Sequence, residues 1–123
     1  MSRIKLAILG QGRSGRDIHA ANLSLLKDLY EIVAVVDPLP DRRERAAAEI
    51  GCATYADYRE LLSRKDIDLV VNATPSHLHV PVTLDLLSHG FNVLVEKPMA
   101  RHVADVDAMI KAARKADRTL TIF

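Results

Sequence analysis

A glycine-rich connection between an apolar segment and an amphipathic one is the feature that most constrains the fold. Residues 3–9 become increasingly apolar and stop at Gly10, which predicts a buried strand ending in a turn. Residues 13–30 carry apolar side chains three and four positions apart, which predicts a helix. Its predicted inner face consists of Ile18, Ala21, Leu25 and Leu29. Gly10, Gly12 and Gly15 have the spacing Gly-x-Gly-x-x-Gly, so we expect a strand, a tight turn and a helix.

The rest of the chain continues this alternation. Further strands are predicted at residues 31–37, 53–55, 67–73, 91–95 and 119–123. Helices are predicted at about residues 40–50 and 78–89. A short helix is also predicted to begin at a capping box formed by Asp57 and Glu60. The inner face of a last long helix is predicted to consist of Val103, Val106, Ile110 and Ala113. We therefore expect an α/β Rossmann fold, a doubly wound parallel sheet of about six strands in the order 3-2-1-4-5-6.

Composition and charge narrow the functional classes. The 123 residues, 49% of them hydrophobic, suffice for one domain, which we expect to span residues 1–123. Lys and Arg number 17 against 16 Asp and Glu, so we expect no nucleic-acid partner. No apolar stretch approaches the about twenty residues of a spanning helix, which predicts no membrane association. The single cysteine, Cys52, cannot form an internal disulfide, and we expect a cytoplasmic location.

The glycine connection is also a candidate binding site, because ligands of such sheets bind outside the carboxyl ends of the strands. The free amide groups and partial positive charge at the start of a helix favour an anion such as a pyrophosphate. The glycines allow the main chain to approach it closely. The simpler alternative is that the glycines only form a turn. The residues predicted to bind a dinucleotide here are Gly10, Gln11, Gly12, Arg13, Ser14 and Gly15.

An acidic residue strengthens the dinucleotide interpretation. Asp37 ends the second predicted strand, 22 residues after the last glycine of the motif, where about 20 are expected for a ribose-binding acid. A carboxylate there accepts hydrogen bonds from the ribose and repels the 2′-phosphate of NADP, which favours NAD. Arg42 and Arg43 could reach a 2′-phosphate, but the simpler interpretation places them on a solvated helix face, with Asp41 and Arg45 paired.

Two further segments take the interpretation beyond the fold. Residues 73–79 read Ala-Thr-Pro-Ser-His-Leu-His, and residues 95–98 read Val-Glu-Lys-Pro. Together with the glycine motif, Val-Val-Asp-Pro at 35–38, Ala-Asp-Tyr at 56–58 and His-Gly at 89–90, they resemble the N-terminal domain of the glucose-fructose oxidoreductase, inositol dehydrogenase and MocA family. The resemblance covers essentially the whole chain. It implies an NAD(P)-dependent oxidoreductase that acts on CH–OH groups of sugar-like or polyol-like substrates.

The resemblance also implies roles at the end of the fifth strand. Lys97 inherits the position beside the nicotinamide and the substrate hydroxyl, and it is the expected catalytic residue. Glu96 would bind near the cofactor and orient this segment. Pro98 is expected to follow a cis peptide bond. A lysine suits the reaction because the hydroxyl proton must be removed when a carbinol loses a hydride.

For the segment after the fourth strand, the resemblance implies cofactor contacts by Thr74 and Pro75 near the nicotinamide half. It matches His79 to the histidine of the family motif. Ser76 departs from the asparagine that is common there, so no hydrogen bond is assigned to it. His77 and His79 could suggest a metal pair, but no carboxylate or cysteine cluster completes a site, and no metal is expected.

The resemblance implies a second domain that carries the substrate pocket and a catalytic histidine, and we expect this domain to be absent from the chain of 123 residues. We therefore expect NAD(H) binding with little or no turnover unless the second domain or a partner subunit is present. Two alternatives stay open. One is a stand-alone NAD-binding or redox-sensing module that works with a partner subunit, and the other is a methyl transferase that uses S-adenosylmethionine. A homo-oligomer is also possible.

Overall fold

A six-stranded parallel sheet forms the centre of the molecule. The computed structural model describes residues 2–123. The strands are β1 (Ile4–Leu9), β2 (Tyr30–Val36), β3 (Ala53–Tyr55), β4 (Leu69–Asn72), β5 (Val93–Val95) and β6 (Leu120–Ile122). They lie in the order β3-β2-β1-β4-β5-β6, and every neighbouring pair is parallel. The predicted doubly wound Rossmann fold and its strand order are confirmed.

Helices cover both faces of this sheet. They are α1 (Arg13–Ala20, π-helical, continuing as the α-helical turn Ala21–Leu23), α2 (Pro40–Ile50), the 3₁₀-helical α3 (Tyr58–Leu61), α4 (a 3₁₀ turn Ser76–Leu78 followed by His79–Ser88) and α5 (Val103–Ala116). Leu6 and Ile8 of β1 pack with Ala20 of α1, while Ala7 and Leu9 pack with the α4 and α5 side. No helix within residues 2–123 is long and apolar enough to cross a membrane.

Several local sequence signals have their predicted effect. Pro40 is the first residue of α2, and Gly51 ends that helix in the left-handed conformation with φ 77°. Asp57 and Glu60 form the predicted capping box at the start of α3. Gly90 has φ 85° after α4, as expected for the residue that ends a helix. Short-range signals of this kind depend on neighbouring residues only, so the sequence shows them directly.

The predicted inner face of the first helix is wrong. The helix ends at Leu23 rather than near residue 30, and Leu25 and Leu29 are 81% and 49% exposed. The residues that α1 buries are Gly15, His19 and Ala20. The first eight residues form wider π-helical turns, so inward-facing positions do not recur with the period of an α-helix. Residues 24–29 instead form successive backbone turns that lead into β2.

The predicted inner face of the last helix is displaced by one position in its middle. Met109 is fully buried and Ala113 nearly so, while Val103 is 76% and Ile110 37% exposed. Apolar residues occur on both sides of this helix, so the sequence fits two neighbouring stripes about equally well. Contact with the underlying sheet and α4 selects the stripe that contains Met109.

The two stripes of α5 differ in what they contribute to stability. Met109→Ala is expected to lower the free energy of unfolding by about 2–5 kcal/mol, because it leaves a cavity in the core. Val103→Ala, at an exposed position of the same helix, is expected to change it by about 0.5 kcal/mol or less. Urea denaturation of both variants measures the difference. A larger loss in Val103→Ala than in Met109→Ala would show that α5 packs through the stripe predicted from the sequence.

Candidate cofactor site

A cleft of about 720 Å³ opens at the carboxyl ends of β1, β2 and β4. This is the edge at which the winding of the sheet reverses, between β1 and β4. The predicted site residues that line the cleft are Gly10, Gly12, Arg13, Ser14, Asp37, Thr74 and Pro75. The remaining predicted residues, Gln11, Gly15, His79, Glu96 and Lys97, lie outside its lining. The structure thus brings more than half of the predicted residues to one place.

Two of the glycines are required by the close packing of the connection after β1. Gly10 has φ 92°, and a Cβ there would overlap the carbonyl oxygen of Ala73. A Cβ at Gly15 would overlap the carbonyl oxygen of Gly10. Gly12 differs, because a Cβ there would meet only the end of the Arg42 side chain at 3.4 Å. The main chain at Gly12 therefore faces the cleft with little to obstruct a ligand.

The start of α1 has donors available for an anion. Gly12 precedes the helix, and no side chain caps this end within the part of the chain that the structure describes. The first amide groups of a helix have no acceptor within the helix, so those near Gly12, Arg13 and Ser14 remain free to bind a ligand. The helix dipole adds partial positive charge at the same end. An uncapped helix start beside open glycine main chain fits a pyrophosphate.

Asp37 joins the end of β2 to the glycine connection. Its carboxylate is almost fully buried, at 2% exposure. Oδ2 accepts a hydrogen bond of 2.8 Å from the main-chain amide of Gln11, and Oδ1 accepts one of 2.9 Å from the amide of Leu39. Each carboxylate oxygen can accept a second hydrogen bond. Asp37 can therefore brace the loop and still bind a ribose hydroxyl.

Gln11 braces the loop from the other side. It is 1% exposed, and its side-chain amide donates to the carbonyl oxygen of Gly10 at 3.0 Å. The main-chain carbonyl oxygen of Gln11 accepts a 2.8 Å hydrogen bond from Nη2 of Arg45. Gln11 thus holds the shape of the connection, and direct contact with the cofactor remains a prediction for it.

The interpretation of the arginines of α2 as a solvated face is wrong. Arg43 donates through Nη1 to the carbonyl oxygens of Asp37 and Pro38, at 2.9 and 3.0 Å. Arg45 contacts Gln11, and its ion-pair partner is Glu49 at 3.9 Å rather than Asp41. Arg42 lines the cleft. The sequence spacing shows which residues share a helix face, but it does not show that the glycine loop lies against that face.

A polar network fixes the segment after β4. Oδ1 of Asn72 accepts a 2.6 Å hydrogen bond from the Thr74 hydroxyl, and its side-chain amide donates to the Thr83 hydroxyl at 3.0 Å. The ring of His79 is buried, with Nε2 2.8 Å from the carbonyl oxygen of Thr74 and Nδ1 2.7 Å from that of Pro98. Both ring nitrogens thus lie within hydrogen-bond distance of main-chain carbonyl oxygens, and a neutral ring donates to one of the two. His79 ties the loop after β4 to the loop after β5.

Glu96 has the same kind of role after β5. It is buried, at 4% exposure. Its Oε1 lies 2.9 Å from Nε2 of His19 on α1, and its Oε2 accepts a 2.9 Å hydrogen bond from the main-chain amide of Lys97. The side chain of Lys97 is exposed. The Lys97–Pro98 peptide bond is cis, as predicted. Glu96 therefore fixes the main chain from which Lys97 projects, and a buried histidine holds Glu96.

Sequence reasoning missed one wall of the cleft and two buried polar residues, Asn72, which holds Thr74, and His19, which holds Glu96. The missed wall is apolar, which suits a flat base, and it consists of Leu39, Tyr58, Leu78 and Val82. The Tyr58 hydroxyl donates to Asp85 at 2.6 Å, and burial, together with this carboxylate, raises the pKa of Tyr58 to about 12. Asn72 carried a usable signal, because it is a polar residue at the end of an apolar strand. His19 carried none beyond its place in a helix.

Comparison with known proteins agrees with this geometry. The family model described as an oxidoreductase family with an NAD-binding Rossmann fold, which covers glucose-fructose oxidoreductase, inositol dehydrogenase and MocA, matches residues 4–123. The chain is 35% identical over 118 residues to inositol 2-dehydrogenase 4 of Saccharopolyspora erythraea, covering 95% of this chain and 35% of that protein. It is 32% identical over 115 residues to 2,7-anhydro-N-acetylneuraminate hydratase of Mediterraneibacter gnavus, covering 94% of this chain and 30% of that protein.

A solved structure gives the same result. The WlbA dehydrogenase of Bordetella pertussis, in complex with NADH and UDP-GlcNAcA, superposes with a TM-score of 0.92 at 29% identity. The match covers 99% of this chain and 37% of that one. The chain thus spans about a third of the length of the relatives that it matches.

The fold, the glycine loop and the buried acid define the chain as an NAD-binding Rossmann domain of the oxidoreductase class. It belongs to the glucose-fructose oxidoreductase, inositol dehydrogenase and MocA family, as the resemblance implied. The alternative of a methyl transferase that uses S-adenosylmethionine is therefore rejected.

Asp37→Ala is expected to weaken NADH binding about tenfold to 150-fold, the equivalent of one charge-assisted hydrogen bond. The change removes an acceptor for the ribose and leaves the amides of Gln11 and Leu39 without their partner. It is also expected to reduce any advantage of NADH over NADPH. Fluorescence titration with both nucleotides measures the two effects. Asp41→Ala removes the same charge at a residue outside the cleft lining and serves as the control. If the ratio of NADH affinity to NADPH affinity is unchanged in Asp37→Ala, Asp37 does not belong to the ribose site.

Proposed function

We propose that residues 1–123 are the cofactor domain of an oxidoreductase that acts on CH–OH groups of sugar-like or polyol-like substrates, with Lys97 as its catalytic residue. One observation carries the proposal: the hydrogen bond from the Lys97 amide to buried Glu96, which fixes Lys97 at the carboxyl end of β5. His79 links this segment to Thr74, which lines the cleft. The main chain of Lys97 is held in this way, which supports the proposal that its side chain lies beside a cofactor bound in the cleft.

The residues present fit NAD in three places. The apolar wall of the cleft and Asp37 suit the adenosine, because a base needs a flat apolar surface and a ribose needs acceptors. The uncapped start of α1 suits the pyrophosphate. Thr74 and Pro75, on the loop nearest to the β5 segment, are the proposed contacts of the nicotinamide half, with His79, Glu96 and Lys97 supporting that end. We propose NAD over NADP as the principal cofactor because Asp37 lies at the ribose position.

The proposed chemistry divides between cofactor and protein. NAD held in the cleft would supply an acceptor for the hydride of the substrate carbon. The hydroxyl group on that carbon must also lose its proton, and the proposed role of Lys97 is to hold the oxygen through Nζ and to relay the proton. Glu96 acts through Lys97 in this scheme, because its Oε2 accepts a hydrogen bond from the Lys97 amide and its Oε1 contacts the buried His19. It acts as a positioning residue.

We propose that turnover requires a second domain or a partner subunit. The chain spans about a third of its relatives, and those relatives include a dehydrogenase and a hydratase, so this shared domain does not by itself select the substrate. An apolar groove of about 330 Å³ crosses the sheet face beside α1, where Ile18, Leu94 and Phe123 line it. Phe123 is 56% and Ile122 49% exposed, which supports contact with a further domain, a partner or a second copy.

The second candidate is a stand-alone NAD-binding or redox-sensing module that works with a partner. It is favoured by one observation: Lys97 lies outside the lining of the cleft. Either candidate suits a reducing, cytoplasmic setting, because the single cysteine, Cys52, has no disulfide partner and burial raises the pKa of its thiol. A turnover screen on polyols and sugars, with any downstream or partner domain present, separates the two. Persistent inactivity of the complete protein would favour the module.

Lys97→Met tests the catalytic assignment. In the complete protein it is expected to lower kcat about 10²–10⁴-fold, because the proton relay is lost. NADH affinity should change little, since the residues that line the cleft are intact. Oxidation of polyols followed by NADH absorbance, alongside an NADH titration, measures both quantities. The control is Lys111→Ala, at an exposed site of α5; retained turnover in Lys97→Met would exclude Lys97 as the catalytic residue.

A further inference from the structure

His19 is a buried histidine on the helix that begins at the glycine loop. The residues that α1 buries are Gly15, His19 and Ala20. The His19 ring meets the ring of Phe123 edge to face, with the two ring centroids 4.8 Å apart. Its Nε2 lies 2.9 Å from Oε1 of Glu96, and both side chains are almost fully buried. An ionised carboxylate only accepts hydrogen bonds, so the hydrogen is assigned to Nε2 and His19 is the donor.

The carboxylate of Glu96 has a second potential partner in the ammonium group of Lys97. Oε2 of Glu96 lies 2.9 Å from the main-chain nitrogen of Lys97, and the flexible stem of a lysine is long enough to fold back that far. The structure does not contain this contact. Among residues 2–123 Lys97 forms no ion pair, and its side chain is exposed. An ion pair with Glu96 would keep the amine protonated, so it could not take up a proton from a substrate.

Burial is the reason that Glu96 needs a partner for each of its oxygens. Taking a carboxylate out of water is costly, and removing one partner of a buried pair leaves a charge without compensation. The main-chain amide of Lys97 serves Oε2, and His19 serves Oε1. Without the His19 ring, Oε1 would be buried and unpaired. Lys97, which one peptide bond joins to Glu96, carries an exposed ammonium group that can take the place of the ring.

We propose that His19 is a positioning residue for the proposed reaction: by pairing with Glu96, it leaves the amine of Lys97 free for the substrate hydroxyl. The inference rests on the proposed catalytic role of Lys97. His19 touches neither substrate nor cofactor in this scheme and acts through Glu96 alone. The imidazole and the ammonium group compete for one carboxylate, and the ring wins because α1 holds it in place beside Oε1.

Acylation of lysine side chains by acetic anhydride, followed residue by residue with mass spectrometry, measures whether the amine of Lys97 is free. Only the neutral amine reacts, and an adjacent opposite charge shifts its protonation equilibrium about tenfold or more. In His19→Leu, Lys97 is therefore expected to react about tenfold or more slowly than in the unaltered chain. The exposed Lys111 is the internal reference. His19→Gln, whose side-chain amide can still donate to Glu96, is expected to keep most of the rate.

A double variant distinguishes this positioning role from a merely structural one. When His19→Leu is combined with Glu96→Gln, the competing charge is gone, so the rate at Lys97 should return to that of Glu96→Gln alone. In the complete protein, kcat should follow the same order while NADH affinity stays unchanged. The matched control is His102→Leu, the same substitution at an exposed residue before α5, and it should alter neither quantity.

Unchanged or faster acylation of Lys97 in His19→Leu would overturn the proposal, and so would a slow rate that the double variant does not restore. If His19→Leu shows no thermal unfolding transition, His19→Asn replaces it, because its shorter amide loses the contact with Glu96. The acylation measurement needs no turnover. Its failure would leave the proposed function standing, whereas retained turnover in Lys97→Met would overturn the catalytic assignment on which the inference rests.

Discussion

The geometry of the cleft depends on the hydrogen bonds that the carboxylate of Asp37 accepts. It connects the end of β2 to the amide of Gln11 in the glycine loop and to the amide of Leu39 before α2. Hydrogen bonds to a charged group contribute about 1.5–3 kcal/mol each, and this carboxylate is buried. The loop therefore has its binding shape before a ligand arrives, which lowers the entropic cost of binding.

A second set of buried polar groups fixes the loops after β4 and β5, as Asp37 fixes the glycine loop after β1 to the end of β2. Asn72 holds Thr74, His79 bridges the carbonyl oxygens of Thr74 and Pro98, and Glu96 holds the Lys97 amide. His19 extends this set to α1. Buried polar groups that are all paired specify one arrangement, because any shift leaves a donor or acceptor unsatisfied. The helix that begins at the glycine loop is thus connected to the segment that carries Lys97.

The sequence predicted the strand order, the helix caps and seven of the residues that line the cleft, because these follow from local spacing and from the geometry of parallel sheets. It did not predict which side of α1 or α5 is buried. The π-helical turns of α1 change the period, and α5 has two apolar stripes. It also missed the contacts of Arg45 with Gln11 and of His19 with Glu96, which join residues 34 and 77 positions apart. Such pairs depend on how elements pack, and no local pattern records them.

The separation between the cleft and the Glu96–Lys97 segment has a consequence for how a family of enzymes can diversify. Asp37 and the glycine loop belong to the β1 and β2 half of the sheet, and Lys97 belongs to the β5 side. Mutations that are more than about 7–10 Å apart and share no partners have nearly additive effects. Under the proposed function, a substitution of the exposed Lys97 side chain would change reactivity without removing any residue that lines the cleft. The nucleotide cleft and the proposed proton-transfer group would then be free to change separately in evolution.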